Sequence, residues 1–381
     1  MTRRYLPGAT IGLMGSGQLG RMFAVAARRM GYRVHIFSPE KDTPAGQLAD
    51  REVTGAYEDE TAVRDFAKRL DLLTFEFENI PRQTIDWCAD ECVVRPAGSI
   101  LHIAQNRLRE KDFLTAAGIP VASYRAVRSA SELAAAIQEI KTPAILKSAA
   151  FGYDGKGQRL IEHADDLDEI WRERPGDELI LERAVDFEKE VSIIVARGPD
   201  GSMVTFPVCE NLHRNHILDV TVAPARVSEE IEKSGADLAR AVAEKMELVG
   251  LLAVEMFLQR DGDLLVNELA PRPHNSGHWT IEGCATSQFE QHLRAVCGLP
   301  LGSTEILRPS AMANLLGDLW QAGEPNWPGA LRVEGVHLHL YGKRQPRPRR
   351  KMGHLTALAP SAEAAIEAVT KARDALELPA E

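Results

Sequence analysis

Two stretches far apart in the chain carry residue types suited to phosphate chemistry. Gly152-Tyr153-Asp154-Gly155-Lys156-Gly157-Gln158 is a glycine-rich loop with one lysine. Such a loop can wrap phosphate oxygens in backbone amides and one ammonium. The segment from Val266 to His278 starts as an apolar strand bearing Glu268 and runs into the polar loop Arg272-Pro273-His274-Asn275-Ser276-Gly277-His278. Leu251 to Gln259 and Asp263 to Leu269 are apolar runs flanking Arg260-Asp261-Gly262-Asp263. Asp-Gly between such runs signals a hairpin. With Asp261-Gly262 as a two-residue turn, Glu255 lies directly across from Glu268, and Met256 across from Asn267. Opposed Cβ atoms sit about 5 Å apart, and like charges there repel. Ala253, Phe257, Leu264 and Val266 surround the pair, so burial adds to the repulsion. Magnesium between the carboxylates answers the problem, since hard cations take carboxylate oxygens and share them with substrate phosphates. A shared proton, or a bulge that separates the pair, are the other solutions. Together the two stretches predict use of a nucleotide triphosphate.

The elements that must position these groups read as follows. Thr10 to Met14 is a strand, Gly15-Ser16-Gly17-Gln18-Leu19-Gly20-Arg21 a glycine turn opening a helix through Met30, and Arg33 to Phe37 the next strand. This βαβ unit presents amides to an anion. The turn fits G-x-G-x-x-G, and Glu40 lies where a ribose-binding acid is expected, so a nicotinamide-dependent oxidoreductase is one alternative. A single phosphate of a sugar phosphate suits the turn equally well. The strand Leu72 to Phe77 leads into Glu76-Phe77-Glu78, at the carboxyl edge that faces the ligand crevice in such sheets. The chain changes domain around Pro96-Ala97-Gly98. Ile100 to Ala117 has helical spacing, ended by Gly118 and Pro120. Arg107 and Lys111 share one face of it, which by itself reads as a solvated basic edge. Ser129 to Glu132 is a capping box for a helix to Ile140. The strand Thr142 to Lys147 then places a lysine five residues before the glycine loop, well set for phosphate. Strands Leu179 to Val185, Val191 to Arg197 and Met203 to Val208 follow, then a helix Ser228 to Val249 and the Glu255/Glu268 hairpin. Ser310 to Trp320 is apolar enough for an interface or a core. The basic run Lys343 to Lys351 contains two prolines and follows a strand, which favours a formed loop over a solvated patch. Ser361 to Leu376 is a capped helix.

Composition bounds the function classes. A chain of 381 residues builds two or three domains. The hydrophobic share of 44% and charged share of 26% are those of an ordinary globular protein. A net charge of -10 argues against a nucleic-acid partner. No apolar run approaches a membrane span, and the N-terminal residues lack the hydrophobic stretch of a signal peptide. Cys88, Cys92, Cys209, Cys284 and Cys297 are odd in number and lack metal-ligand spacing, as expected of free thiols in a reducing cytoplasm.

Lys147, the Gly152 to Gln158 loop, Glu182-Arg183-Ala184-Val185, Glu190, Glu255 and Asn267-Glu268 resemble the ATP-grasp ligases. The strings Gly15 to Arg21, Asn211-Leu212-His213-Arg214-Asn215, Pro273 to Trp279 and Arg350-Lys351-Met352-Gly353-His354 are similar to one family among them, the N5-carboxyaminoimidazole ribonucleotide synthases. That resemblance covers nearly the whole chain. It implies an α/β (α+β) fold with three parts: a parallel-sheet, Rossmann-like pre-ATP-grasp domain over 1–98, an ATP-grasp domain over 99–300 whose mobile lid spans about 120–185, and a small C-terminal domain over 301–381. It implies carboxylation of 5-aminoimidazole ribonucleotide with MgATP and bicarbonate through carboxyphosphate, in purine biosynthesis. Another ATP-grasp ligase with a different acceptor is the nearer alternative.

The resemblance also implies roles. ATP would be held by Arg107, Lys147, Gly152, Tyr153, Asp154, Gly155, Lys156, Gly157, Gln158, Glu182, Arg183, Ala184, Val185, Glu190, His213, Asn267 and Glu268. Glu255 and Glu268 would hold magnesium. Tyr153, Asp154, Arg272 and His274 would serve the carboxylation chemistry. Gly17, Gln18, Leu19, Glu76, Asn275, Ser276, Lys343, Arg350 and Lys351 would hold the ribonucleotide. A cytoplasmic homodimer with small-molecule substrates, and neither nucleic acid nor membrane as partner, completes the expectation.

Overall fold

The structure, a computed structural model, describes residues 3–150, 157–163, 167–173 and 178–377. Most of the glycine-rich loop, including Gly152, Tyr153, Asp154, Gly155 and Lys156, lies outside the described residues.

The N-terminal part is a parallel sheet in the order Arg51–Thr54, Arg33–Ser38, Thr10–Met14, Leu72–Phe75, Val93–Val94. The two central strands are buried throughout or nearly so, because helices cover both faces. The helix Gln18–Arg29 buries Leu19, Met22, Phe23 and Ala27, spaced to line one face. Strand order reverses between Thr10–Met14 and Leu72–Phe75. The glycine turn and Glu76 emerge side by side at that switch point, where open α/β sheets bind ligands.

A four-stranded antiparallel sheet follows, in the order Tyr124–Val127, Leu179–Arg183, Ala144–Ser148, Gln158–Ile161. Lys147 pairs with Gln158 and the Ser148 amide donates to the Gly157 carbonyl at 2.9 Å. The lysine therefore stands at the base of the glycine loop, as its sequence position predicts.

The largest sheet runs Leu264–Ala270, Gly250–Gln259, Phe187–Arg197, Cys209–Arg214, Ile217–Ala223, Ser310–Leu316, Lys351–Leu358, Val336–Leu340, with Met203–Thr205 beside Phe187–Arg197. The helix Glu229–Lys245, capped by Ser228, packs Ala239, Val242 and Ala243 against it. Ser310–Leu316 is a buried inner strand of this sheet, so its apolarity serves the core. The C-terminal strands thus extend the central sheet, and Ala362–Ala375, capped by Ser361, covers them.

Two local readings are corrected. The helical pattern from Ile100 to Ala117 is two helices, Gly98–Ala104 and Arg107–Ala116. Asn106 adopts an extended conformation between them and accepts from the Leu108 and Arg109 amides at 3.0 and 3.1 Å, capping the second helix. An asparagine cap inside an apolar pattern interrupts the helix without glycine or proline. Lys111 does not lie on a solvated edge, since only 1% of it is exposed.

The C-terminal strands are tied to the polar loop by stacked imidazoles. The His339 and His354 rings stack at 4.5 Å, His354 and His278 lie 4.7 Å apart, and Tyr341 Oη is 2.8 Å from His354 Nδ1. Burial holds both His278 and His354 well below the ordinary histidine range, so the fold keeps them neutral. The unfolded chain takes up these protons below pH about 6.5, whereas the folded chain does not, so stability falls as pH drops through that value. The expected slope is on the order of 1.4 kcal/mol per pH unit for each histidine. Urea midpoints between pH 7 and 5 check it, and His354→Gln should flatten the slope.

Candidate active site

The Glu255/Glu268 pair forms as predicted, by a different path. Gly262, at φ +93°, closes a three-residue loop in which its amide donates to the Gln259 carbonyl at 3.0 Å. That loop shifts the register by one, so Met256 faces Val266 and not Asn267. A β-bulge at Asn267 shifts it back, and Glu255 faces Glu268. The bulge adjoins the pair without separating it. Its cause is burial: Leu264, Val266 and Leu269 all enter one core, and an unbroken period of two cannot place residues 266 and 269 on the same face. That spacing is the signal a reader of the sequence can use. The bulge turns Glu268 away from the core, where half of its side chain is exposed, beside Glu255 at 24%.

His274 is 2.9 Å from Glu255, through Nε2. Its Nδ1 accepts from the Ser276 amide at 3.3 Å and faces Ser276 Oγ at 2.8 Å. Behind Ser276, Ser192 Oγ donates to Ser276 Oγ, Asn211 Nδ2 to Ser192 Oγ, and Thr221 Oγ1 to Asn211 Oδ1, at 2.8, 2.8 and 3.0 Å. The buried donors all point one way, which leaves the proton of His274 on Nε2, aimed at Glu255. Burial pushes the Glu255 carboxyl up, but His274, helped by His213 and Arg272, outweighs it and holds the group at about 2. Burial pushes Glu268 up as well. Arg107, with Nη2 at 3.8 Å, opposes that shift and Glu255 adds to it. The surrounding charges therefore favour ionisation of Glu255 over that of Glu268.

The other predicted nucleotide residues converge on the same cleft. Lys147 contacts Glu182, whose carboxylate is buried. Burial pushes Glu182 up, and Lys147 with Lys111 reverses the shift, leaving it low. Glu190 Oε2 is 2.8 Å from His213 Nδ1. The segment Ala184–Val185 joins the four-stranded sheet to the largest one. The Ala184 amide donates to the Pro143 carbonyl at 3.1 Å, and the Arg183 guanidinium donates to the Ile140 and Thr142 carbonyls.

Of the predicted ribonucleotide residues, Gly17, Gln18, Leu19, Glu76 and Lys343 meet at the switch point of the first sheet, whereas Ser276 is buried in the donor chain behind His274. Glu76 accepts from the Gly17 amide and, at 2.6 Å, from the Gly20 amide. A carboxylate thus fills the turn that a dinucleotide pyrophosphate would need, which disfavours the oxidoreductase alternative. Gln18 and Leu19 open the helix beside it. Burial raises Glu76, opposed by the two amides, Arg272 and Lys343. Burial also lowers Lys343 to about 8, with Arg350 and Lys351 adding and Glu76 opposing. Lys343 Nζ donates to the Lys351 carbonyl at 2.5 Å, and Arg350 donates to the Gln345 carbonyl at 3.0 Å. The basic run is a formed loop, docked on the first domain through Gln47 Nε2, which donates to the Gly342 carbonyl at 3.1 Å. Asn275 is buried, and among the described residues neither atom of its amide has a hydrogen-bond partner. Arg272 Nε is 2.6 Å from Glu78, a partner the sequence offered only as a neighbour of Glu76.

Among the described residues no three His, Cys, Asp or Glu side chains converge as a dedicated metal site. Two opposed carboxylates match magnesium nonetheless, because that ion usually takes one or two carboxylates and completes its shell with phosphate oxygens and water.

The chain matches the ribonucleotide synthetase preATP-grasp domain over residues 8–105, the ATP-grasp domain over 112–289, and the phosphoribosylaminoimidazole carboxylase C-terminal domain over 310–368. It is 47% identical to N5-carboxyaminoimidazole ribonucleotide synthase of Bacillus subtilis (strain 168), over 96% of this chain and 95% of that one. An Aspergillus clavatus N5-carboxyaminoimidazole synthase, solved with ADP and 5-aminoimidazole ribonucleotide, superposes with a TM-score of 0.90 at 33% identity, over 97% of this chain and 99% of that one. The Staphylococcus aureus enzyme complexed with ADP gives 0.90 at 36%, over 97% and 98%.

Burial pushes the His213 imidazole down, but the Glu190 carboxylate reverses this and leaves it above its ordinary value. An NMR titration should place its midpoint above 6.5, and Glu190→Gln should move it below.

Proposed function

The chain belongs to the N5-carboxyaminoimidazole ribonucleotide synthase family of ATP-grasp enzymes, and from that premise we propose that it carboxylates 5-aminoimidazole ribonucleotide at the expense of ATP in purine biosynthesis. The observation that carries the reading is the meeting of two sites in one cleft. The carboxylate pair with Lys147 and Arg107 suits a triphosphate, and Lys343, Glu76 and Asn275 suit a sugar phosphate.

Bicarbonate is the carbon source in this reading. A bicarbonate oxygen attacks the γ-phosphorus, the bond to the β-phosphate oxygen breaks, and ADP and carboxyphosphate result. The exocyclic amine then bonds to the carbonyl carbon, either directly or after carbon dioxide departs, phosphate leaves, and the amine gives up a proton. Glu255 and Glu268 would hold magnesium, which when bound neutralises phosphate charge during transfer, and Asn267 would meet the nucleotide beside them. Lys147 exchanges Glu182 for phosphate oxygens, and Lys156 of the glycine loop adds a second ammonium. Arg107 approaches from the domain edge. Ala184 and Val185, between the two sheets, meet adenine through the backbone, and Glu190 takes the ribose hydroxyls with His213 beside it. Arg272 and His274 sit near the imidazole or the bicarbonate, the His274 ring being oriented by its contact with Glu255 and by the buried donor chain. Tyr153 and Asp154 assist the amine. Gly17, Gln18, Leu19, Ser276, Arg350 and Lys351 complete the ribonucleotide site. By the family resemblance, the Gly152 to Gln158 loop would shield the labile intermediate from water. Assembly as a homodimer and residence in the cytoplasm rest on the family resemblance.

The direct test is phosphate release from MgATP and bicarbonate. Addition of 5-aminoimidazole ribonucleotide should stimulate it strongly, and Glu268→Gln should lower turnover by about a hundredfold or more. Release indifferent to the ribonucleotide, with ATP still bound, refutes the acceptor and leaves another ATP-grasp ligase. Lys343 predicts a pH dependence. As pH rises through about 8 the free enzyme loses this charge, so KM for the ribonucleotide should climb about tenfold per unit while kcat holds. Lys343→Met should raise KM throughout and abolish that limb.

A further inference from the structure

Glu110 and Lys111 are adjacent on the helix Arg107–Ala116, and each is 1% exposed. Neither has a role in the reading above. Both face the backbone of the strand that carries Glu268. Lys111 Nζ donates to the Val266 carbonyl at 3.0 Å and to the Asn267 carbonyl at 2.7 Å. Glu110 Oε2 accepts from the Leu269 amide at 3.0 Å. The Val266 amide donates to the Pro120 carbonyl at 2.8 Å.

Consecutive carbonyls of a regular strand point to opposite sides, so one ammonium cannot take both. Only the bulge at Asn267 turns the Val266 and Asn267 carbonyls the same way, and Lys111 sits where they meet. Leu264–Ala270 is an edge strand, and the two side chains bond its outward backbone groups on either side of Glu268. Burying two ionisable side chains for packing alone costs more than burying an apolar pair of similar volume. The placement of this pair on one bulge indicates a further purpose.

We propose that Glu110 and Lys111 are positioning residues for the cation-binding carboxylate: they clamp Val266 to Leu269 in the bulged register that holds Glu268 opposite Glu255. The proposal rests on the cation reading of that pair. Without the clamp, Asn267 can rejoin the ladder, and the register then carries Glu268 toward the core face. Lys111 thereby ties the helix that begins with Arg107 to the strand that ends in the polar loop, and one small element sets both the guanidinium and the carboxylate of the phosphate cradle.

Three variants separate the possibilities: Lys111→Met, Glu110→Leu and Glu268→Gln, all in the full chain. Two readouts are taken besides activity. One is Mn2+ affinity at saturating ADP, followed by the electron paramagnetic resonance of the free ion. The other is amide hydrogen exchange of residues 264–270 in metal-free protein. Lys111→Met should weaken Mn2+ about tenfold or more, the range seen when groups that orient metal ligands are removed. It should also quicken exchange in 264–270 while leaving the Phe187–Arg197 strand as protected as before. Glu268→Gln should lose Mn2+ without the exchange change. Wild-type Mn2+ affinity in folded Lys111→Met, with Glu268→Gln deficient, overturns the clamp alone. Wild-type affinity in Glu268→Gln overturns the cation reading, and the clamp falls with it. Should Lys111→Met fail to fold, Glu110→Leu, which removes the acceptor of the Leu269 amide, carries the same comparison.

Discussion

Two carboxylates directly opposed on neighbouring strands are the constraint around which this cleft is organised. At about 5 Å between Cβ atoms they repel, and partial burial makes the repulsion harder to screen. The surrounding charges respond asymmetrically. His274, His213 and Arg272 gather on Glu255 and keep it ionised, while Arg107 stands near Glu268 at a longer distance. The imbalance leaves room for one more positive charge between the two, the place that the proposed function gives to a nucleotide-bound cation. Lys147, held by Glu182, stands at the base of the glycine loop.

The second half of the cleft depends on the first through the polar loop. Arg272 to His278 leaves the Glu268 strand, passes the Glu255 carboxylate at His274, and ends in the buried imidazole stack on the C-terminal strands. Those strands lead into the basic loop at Lys343, which faces Glu76 at the switch point of the N-terminal sheet. A path of backbone and stacked rings thus links the two halves of the cleft. Such continuity suits a reaction whose first product must be consumed before water reaches it.

Much of this was legible from residue order. The glycine turn beside Glu76, Lys147 beneath its loop, and the serine caps at residues 129, 228 and 361 follow from short-range rules that hold wherever such residues meet. What escaped were compensations over longer range. The three-residue turn and the bulge cancel, so the predicted pair was right while its neighbour Met256 was not. The bulge was encoded in Leu264, Val266 and Leu269, whose spacing breaks the period of two, but only burial shows that all three belong to one core. Lys111 looked like a surface residue because its partners are backbone carbonyls 155 and 156 residues away, to which side-chain patterns are blind. Asn106 capped a helix where the apolar pattern ran on. The donor chain behind His274 draws on four separate strands and loops and leaves no local trace.

The most direct measurement is a crystal structure grown with ADP and Mn2+, with data collected to show the anomalous signal of manganese. The account predicts a peak between Glu255 and Glu268, with an oxygen of each within about 2.2 Å of the ion and a phosphate oxygen completing the bridge. A bound nucleotide with the metal held elsewhere, and the two carboxylates drawn together on a shared proton, would contradict it.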